Sequence, residues 1–441
     1  MSVTVFLQAN AKQHSAEMLG GKGQGLAQLI QVGLSVPPTV VISTKAFHQF
    51  FSSDLRALAR EVGYGNDPEA YTRLTALVRT RPLPVDVTAV LQVLGKPPWL
   101  AVRSSAAHED SERFSGAGVL RSFLGVPCVS TRVTAAIKAV WLSALADPAR
   151  IYARLVADAE LLDGGIAVVL QPMVNACVSG VAFAQIEGTR VEAIYGLPFP
   201  LVNGIVTPDT YVTREKEVTT VHVESYKRTA LVLHDSMWDT ARPGSTITLL
   251  RTGGRALHGV LVKRNAHLTA VRLEYPHYDA SVLDESDVYT VAALAKAAIS
   301  ARHALNVDIE WAETVDGWTL LQSRPITTPI HLKPSTINKV EGVAPGETQG
   351  LALDPTRTSL PFPFGALLLV SEFGPQHLPL LAVAGGVISQ RGGMLSHGAI
   401  LCRELRKPML ITHTPHTHLH GLAVRINGTS GALDVLPEVG A

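Results

Sequence analysis

The sequence predicts an α+β protein on three observations. Helical and strand patterns follow one another without the regular strand–helix–strand alternation of a doubly wound sheet. From about 325 to 346, proline, glycine and small polar residues break every periodicity, as an interdomain connector does, with the boundary near 333. Hydrophobic residues make up 46% of the 441 positions and charged residues 17%, an ordinary globular composition for a length that holds two to three domains, with disorder not the default.

Residues 4–7 form a short strand pattern. At 20–33 the glycine-rich run Gly20-Gly21-Lys22-Gly23 reads as a loop feeding a helix, with Leu26, Leu29 and Ile30 at helical spacing and a stop at Gly33. A strand follows at 36–42 after a proline stop, then several amphipathic helices over 45–95 and a buried strand over 99–105 that runs into a polar loop. Helix is expected at 132–159, strand at 165–174, a hairpin over 178–195, more strands over 245–274 and helix over 284–305. Val307–Trp311 and Trp318–Gln322 pair about Asp316-Gly317 as a last hairpin. The hundred residues after the connector alternate short strands and helices, enough for one small domain.

Charge excludes some partners. Lys plus Arg number 38 and Asp plus Glu 37, so no overall field favours nucleic acid or an anionic membrane, and any phosphate site must be local. Cys128, Cys177 and Cys402 lie far apart, the pattern of reduced thiols and not of a zinc site or disulfide framework. The first residues lack a signal-peptide pattern, and no uncharged run approaches the roughly 18 residues of a membrane span, so a cytoplasmic protein is expected. His413, His416, His418 and His420 sit in a Thr/Pro-rich turn without carboxylate or cysteine support, which weighs against a metal.

Two glycine-rich segments carry chemistry. Gly392-Gly393-Met394-Leu395-Ser396-His397-Gly398 precedes an apolar helical run, so His397 stands where backbone amides can form an anion nest and a helix start adds positive potential. A neutral imidazole there is a competent nucleophile, with Ser396 beside it to orient the ring or its phosphate. Lys22 among Gly20, Gly21, Gly23 and Gly25 is built to approach polyphosphate. Either segment alone is equally a tight turn with a solvated polar residue.

Together they resemble the phosphoenolpyruvate-utilising enzymes: pyruvate phosphate dikinase, phosphoenolpyruvate synthase and rifampin phosphotransferase. The His397 segment with Arg403-Glu404-Leu405 and Lys407-Pro408 resembles their mobile phosphohistidine domain. The order Gly-Gly-Lys-Gly, Gly33 to Pro38, Val102 to Ala106 with Glu109-Asp110, Ser179 to Phe183, Tyr195 to Leu197 with Gly204 to Tyr211, Asp308 to Ala312 and Leu321 to Thr327 resembles their nucleotide-binding domain. The similarity covers 16–328, weakest over 215–280, and 338–436. It implies an ATP-grasp domain over 1–328 with two lobes split near 175–180, a flexible linker over 329–337 and a swivelling α/β domain over 338–441.

By position, the resemblance implies that Lys22 and Arg103 bind ATP phosphates, Glu310 and Gln322 hold Mg²⁺, and Arg324 clamps the transferring phosphates. Gln171, Met173 and Val174 fall at the hinge facing adenine. One departure lies between Phe114 and Phe123, where the family spacing is shorter; Arg121 in that stretch either replaces a family contact or points to solvent.

The implied reaction is a dikinase-type phosphotransfer. ATP phosphorylates His397 through a pyrophosphoryl intermediate, AMP and phosphate are released, and the domain swings to deliver its phosphoryl group. No segment resembles the pyruvate barrel or the helical drug domain of those enzymes, so their acceptors are not expected here. A small hydroxyl or nitrogen acceptor is expected, with Leu197 to Leu201 or Pro361 to Phe364 as candidate lining. The alternatives are an ATP-driven half whose acceptor domain is a separate polypeptide, and a catalytically silent regulatory or scaffold protein.

Overall fold

The computed structural model describes residues 3–10, 15–64, 68–106, 118–155, 164–214, 217–224, 229–233, 243–251, 256–264, 268–274, 280–326, 340–359 and 361–437. Glu109, Asp110, residues 114–117, the end of the 132–159 helical pattern and the linker 329–337 lie outside the described residues. Mixed helix and sheet in three packed bodies give the expected α+β class.

The first lobe is a five-stranded antiparallel sheet, in the order Thr4–Phe6, Val40–Ile42, Ile166–Pro172, Trp99–Ala106, Phe123–Pro127. Helices Thr44–Phe50, Ser53–Tyr64, Pro68–Thr80, Val87–Val93 and Ser130–Leu142 accompany it. Their apolar faces meet around Phe47, Phe50, Phe51 and Trp141, with Phe47 and Phe51 ring centroids 4.6 Å apart. The indole N–H of the buried Trp141 donates to the Ile166 carbonyl at 2.9 Å, so the core aromatic also pins the helix to the central strand.

The glycine run corrects one expectation. Helix Ala16–Gln31 begins before the glycines, and the chain kinks inside it at Gly20, whose φ of 69° and ψ of 172° are not helical. A Cβ at Gly20 would stand 2.0 Å from the Ser105 carbonyl oxygen, so glycine is required by close approach as well as by φ. The Ser105 hydroxyl donates to the Leu19 carbonyl at 2.8 Å and accepts the Gly23 N–H at 3.0 Å, stitching the kink to the strand that carries Arg103. Lys22 therefore sits in the first turn after the kink and not on a loop.

The second lobe is a six-stranded antiparallel sheet, ordered Gly317–Pro325, Val307–Thr314, Val178–Gln185, Gly188–Tyr195, Asp209–Arg214, Glu217–His222. Helix Glu285–Arg302 packs on it and starts in a capping box between Asp284 and Asp287. A further antiparallel sheet of Thr229–Leu233, Leu268–Leu273, Ala256–Arg264 and Thr246–Leu250 shares that core.

The third body is a seven-stranded mixed sheet: Glu341–Ala344, Met409–Ile411, Gly386–Ser389, Leu367–Val370, Glu347–Leu353, Ala423–Asn427, Ala432–Val435. The pairings from Met409–Ile411 to Glu347–Leu353 are parallel. Helix His397–Glu404 joins two of these parallel strands, so the histidine opens the helix beyond the carboxyl end of Gly386–Ser389. That end of a parallel sheet is where ligands gather in α/β units.

Candidate functional site

A cavity of about 290 Å³ is lined by Lys22, Arg103, Gln171, Met173, Val174, Glu310, Gln322, Arg324 and His397. All three bodies contribute. Thus every candidate site residue lines one space except Ser396, which caps the helix that His397 begins, its hydroxyl accepting the Ala399 N–H at 3.4 Å.

The paired strands after residue 306 place the two oxygen donors together. Glu310 and Gln322 are directly opposite in the ladder, and the register slips just beyond them so that Leu321 is an extra residue. Arg103 crosses from the first lobe to this bulge: its guanidinium donates to the Leu321 carbonyl at 2.7 Å, to the Glu310 carboxylate at 3.0 Å and to the Gln322 side-chain oxygen. Arg324 lies 3.1 Å from Asp308 and 3.6 Å from Glu310. Both arginines are thus held by carboxylates in the arrangement seen. Gln171 donates to the Thr39 hydroxyl at 2.9 Å, which fixes its side chain at the cavity wall.

His397 enters the cavity from the third body. Its Nδ1 is buried without a hydrogen-bond partner among the described residues, and a Cβ on Gly118 would stand 2.7 Å from it. Burial first, then the charges of Arg324, Lys22 and Arg103, push the imidazole down to a pKa of about 3, so the ring is neutral near pH 7.

The Gly392-Gly393 turn differs from expectation. Instead of opening toward a phosphate, it faces a carboxylate of the second lobe: Glu192 accepts the Met394 N–H at 3.0 Å, and a Cβ on Gly393 would stand 2.3 Å from Glu192 Oε2. Arg190 binds Glu192 at 3.1 Å and Glu341 of the third body at 2.7 Å, and His413 lies 3.6 Å from Glu341. Burial raises the Glu192 pKa against the pull of Arg190; at Glu341 burial also opposes ionisation, yet Arg190 and His413 hold it down to about 2. Tyr152 donates to Glu404 at 3.0 Å on the first-lobe side. Arg403 ties the Met394 carbonyl, at 2.7 Å, to the Val343 carbonyl, at 2.8 Å.

Sequence reasoning gave no role to Gly118, Arg190, Glu192, Glu341 or Arg403. One signal was available: Arg190 and Glu192 are charged residues inside a strand buried along its whole length, where unpaired charge is prohibitive. The candidate acceptor segments separate, for Leu197, Pro198 and Phe199 line the cavity, whereas Pro361 to Phe364 do not and Phe364 is 91% exposed. In the histidine-rich turn, His416 Nε2 lies 2.9 Å from the Val370 carbonyl and His420 accepts the Asp354 N–H at 3.1 Å, so those rings support turns. Among the described residues no helix is long and apolar enough to cross a membrane.

Comparison with known proteins finds two family profiles in sequence along the chain. The family profile "Pyruvate phosphate dikinase, AMP/ATP-binding domain" matches residues 16–341, and "PEP-utilising enzyme, mobile domain" matches 362–431. A phosphoenolpyruvate synthase of Aeropyrum pernix is 27% identical over 94% of this chain and 56% of its own length. A probable phosphoenolpyruvate synthase of Archaeoglobus fulgidus is 26% identical over 97% and 57%. The prodigiosin synthesizing transferase PigC of Serratia marcescens is 29% identical over 70% of this chain and 32% of its own. The chain therefore spans little more than half the length of those two synthases. With the nucleotide-domain profile covering most of it and the mobile-domain profile following, this chain belongs to the pyruvate phosphate dikinase family of phosphoenolpyruvate-utilising enzymes.

Proposed function

We propose that this chain is an ATP-dependent phosphotransferase of the dikinase type in which His397 carries the phosphoryl group. One observation carries the proposal: the neutral imidazole of a mobile-domain helix shares a single cavity with Lys22, Arg103, Glu310, Gln322 and Arg324. Nδ1 is buried against Gly118, which leaves Nε2 as the nucleophile.

Gln171, Met173 and Val174 bound the adenine end, and Lys22, Arg103 and Arg324 receive the phosphate chain. His397 attacks the β-phosphorus, the bond to the α-phosphate oxygen breaks, and AMP leaves. Loss of the terminal phosphate to water then leaves a phosphohistidine. The cations offset charge at the transferring phosphorus, the main protein contribution in such reactions. Glu310 and Gln322 fit a hard divalent ion, since their oxygens converge on one guanidinium nitrogen of Arg103 and so reach a common point. Mg²⁺ bound there would supply charge neutralisation of the phosphate oxygens. The loaded domain then leaves the cavity and passes its phosphoryl group to a small hydroxyl or nitrogen compound.

Incubation with ATP labelled at the β or the γ phosphate tests this. Label retained on His397 from the β position only, with AMP as product, is expected. ADP as the sole nucleotide product would replace the relay with an ordinary kinase, discharge only by a co-purifying protein would indicate a split system, and no labelling would leave a scaffold.

A further inference from the structure

We propose that Arg121 is a polyphosphate-binding residue of the cavity, recruited by the phosphate chain of ATP beside Lys22; this rests on the nucleotide reading of the cavity above. Arg121 belongs to the stretch whose spacing departs from the family pattern, three residues after the glycine that touches His397. Its backbone is fixed. The Arg121 N–H donates to the Ser143 hydroxyl at 3.0 Å, and that buried hydroxyl donates to the Val140 carbonyl at 2.6 Å. Leu120 beside it is packed in the core. Arg121 itself is exposed, lines the cavity, and has no side-chain partner among the described residues.

The charge distribution explains the choice. Lys22, Arg103, Arg121 and Arg324 line the cavity against one lining carboxylate, Glu310. Arg103 is engaged by Glu310, Gln322 and the Leu321 carbonyl, and Arg324 by Asp308 and Glu310. Either must loosen a buried pairing to turn fully on a phosphate, and a buried pair is expensive to break. Arg121 surrenders no such contact, and its planar fork suits two phosphoryl oxygens at once. A fixed backbone with a side chain free to turn inward is what a phosphate-responsive arm requires.

The test compares wild type, R121K and R121Q as full chains, measuring calorimetric affinity for AMP and for the Mg²⁺ complex of an α,β-methylene analogue of ATP. Expected is a loss of about tenfold in analogue affinity for R121Q, a smaller loss for R121K, and unchanged affinity for AMP. Equal loss of both nucleotides would mean a structural role and overturns the proposal, as does analogue binding by R121Q at wild-type strength, which leaves the proposed function standing. Wild type that binds neither nucleotide overturns the nucleotide reading and this proposal with it.

Discussion

Glu192 and Met394 join the second lobe to the mobile domain: the buried carboxylate accepts the Met394 N–H at 3.0 Å, three residues before His397. Removing it leaves a buried donor unmet and takes one carboxylate from Arg190. An unsatisfied buried group costs about 1–3 kcal/mol, and here the cost falls on the docked arrangement. Glu192→Ala is therefore expected to slow single-turnover labelling of His397 by roughly ten- to a hundredfold, with affinity for an ATP analogue unchanged. Labelling at the wild-type rate would show that the contact does not hold the domain in place.

Gly118 makes a second prediction by sterics. Its φ of 71° disfavours any Cβ, and that Cβ would press on the imidazole at 2.7 Å. Left-handed backbone costs a non-glycine residue roughly 1–2 kcal/mol before the clash is added. Gly118→Ala should label at least tenfold more slowly, and addition of His397→Ala should recover part of its lost melting temperature. A melting temperature indifferent to His397 would place the whole cost in the backbone.

The pH dependence has a definite sign. Docked, His397 is held to about 3; undocked and solvated, it takes its ordinary value of 6.5. Above 6.5 both forms are neutral and docking keeps its full strength. Below 6.5 the undocked ring binds a proton that the docked ring refuses, so docking weakens progressively as pH falls toward 3. Quench-flow labelling should decline on acidification below about 6.5 and should show no loss from this histidine between there and pH 8. A rate that climbs on acidification would contradict it.

Glu310 is shared by Arg103 and Arg324 and stands opposite Gln322. Glu310→Gln should reduce AMP formation on the order of a hundredfold or more, the scale of losing one preorganised charge contact, and chelation of divalent cations should stop it. AMP production that persists in excess EDTA would remove the ion from the mechanism.

Ser396 is the helix cap, so its loss is a stability effect. Ser396→Ala should cost about 1 kcal/mol of stability, seen as a lower melting temperature, with labelling within a few-fold of wild type. A collapse of labelling at unchanged stability would instead give this hydroxyl a part in orienting the imidazole or its phosphate.

Local chemistry made much of this legible before any fold was known. The hairpin about Asp316-Gly317 was readable because turn residues separate two β-rich runs, and its ladder sets Glu310 against Gln322. The helix opened by His397 was readable from its apolar spacing. The Gly20 kink was not, since one positive φ inside a helical pattern is dictated by the Ser105 carbonyl of a strand some 80 residues on. Strand Asp209–Arg214 was also missed, and so were Glu217–His222 and Thr229–Leu233, which lie where the resemblance is weakest.

Periodicity, glycine placement and reactive residue types are properties of neighbouring positions, so the chain alone named most of its elements, Lys22 among its glycines and the histidine at a helix start, while Arg103, Glu310, Gln322 and Arg324 were singled out only by the family resemblance. Which of those cations are held by carboxylates, that the glycine turn clasps Glu192, and that Gly118 seals one ring nitrogen all depend on groups distant in sequence. Burial and pairing exist only once the three bodies meet, and they set the charge state of the imidazole.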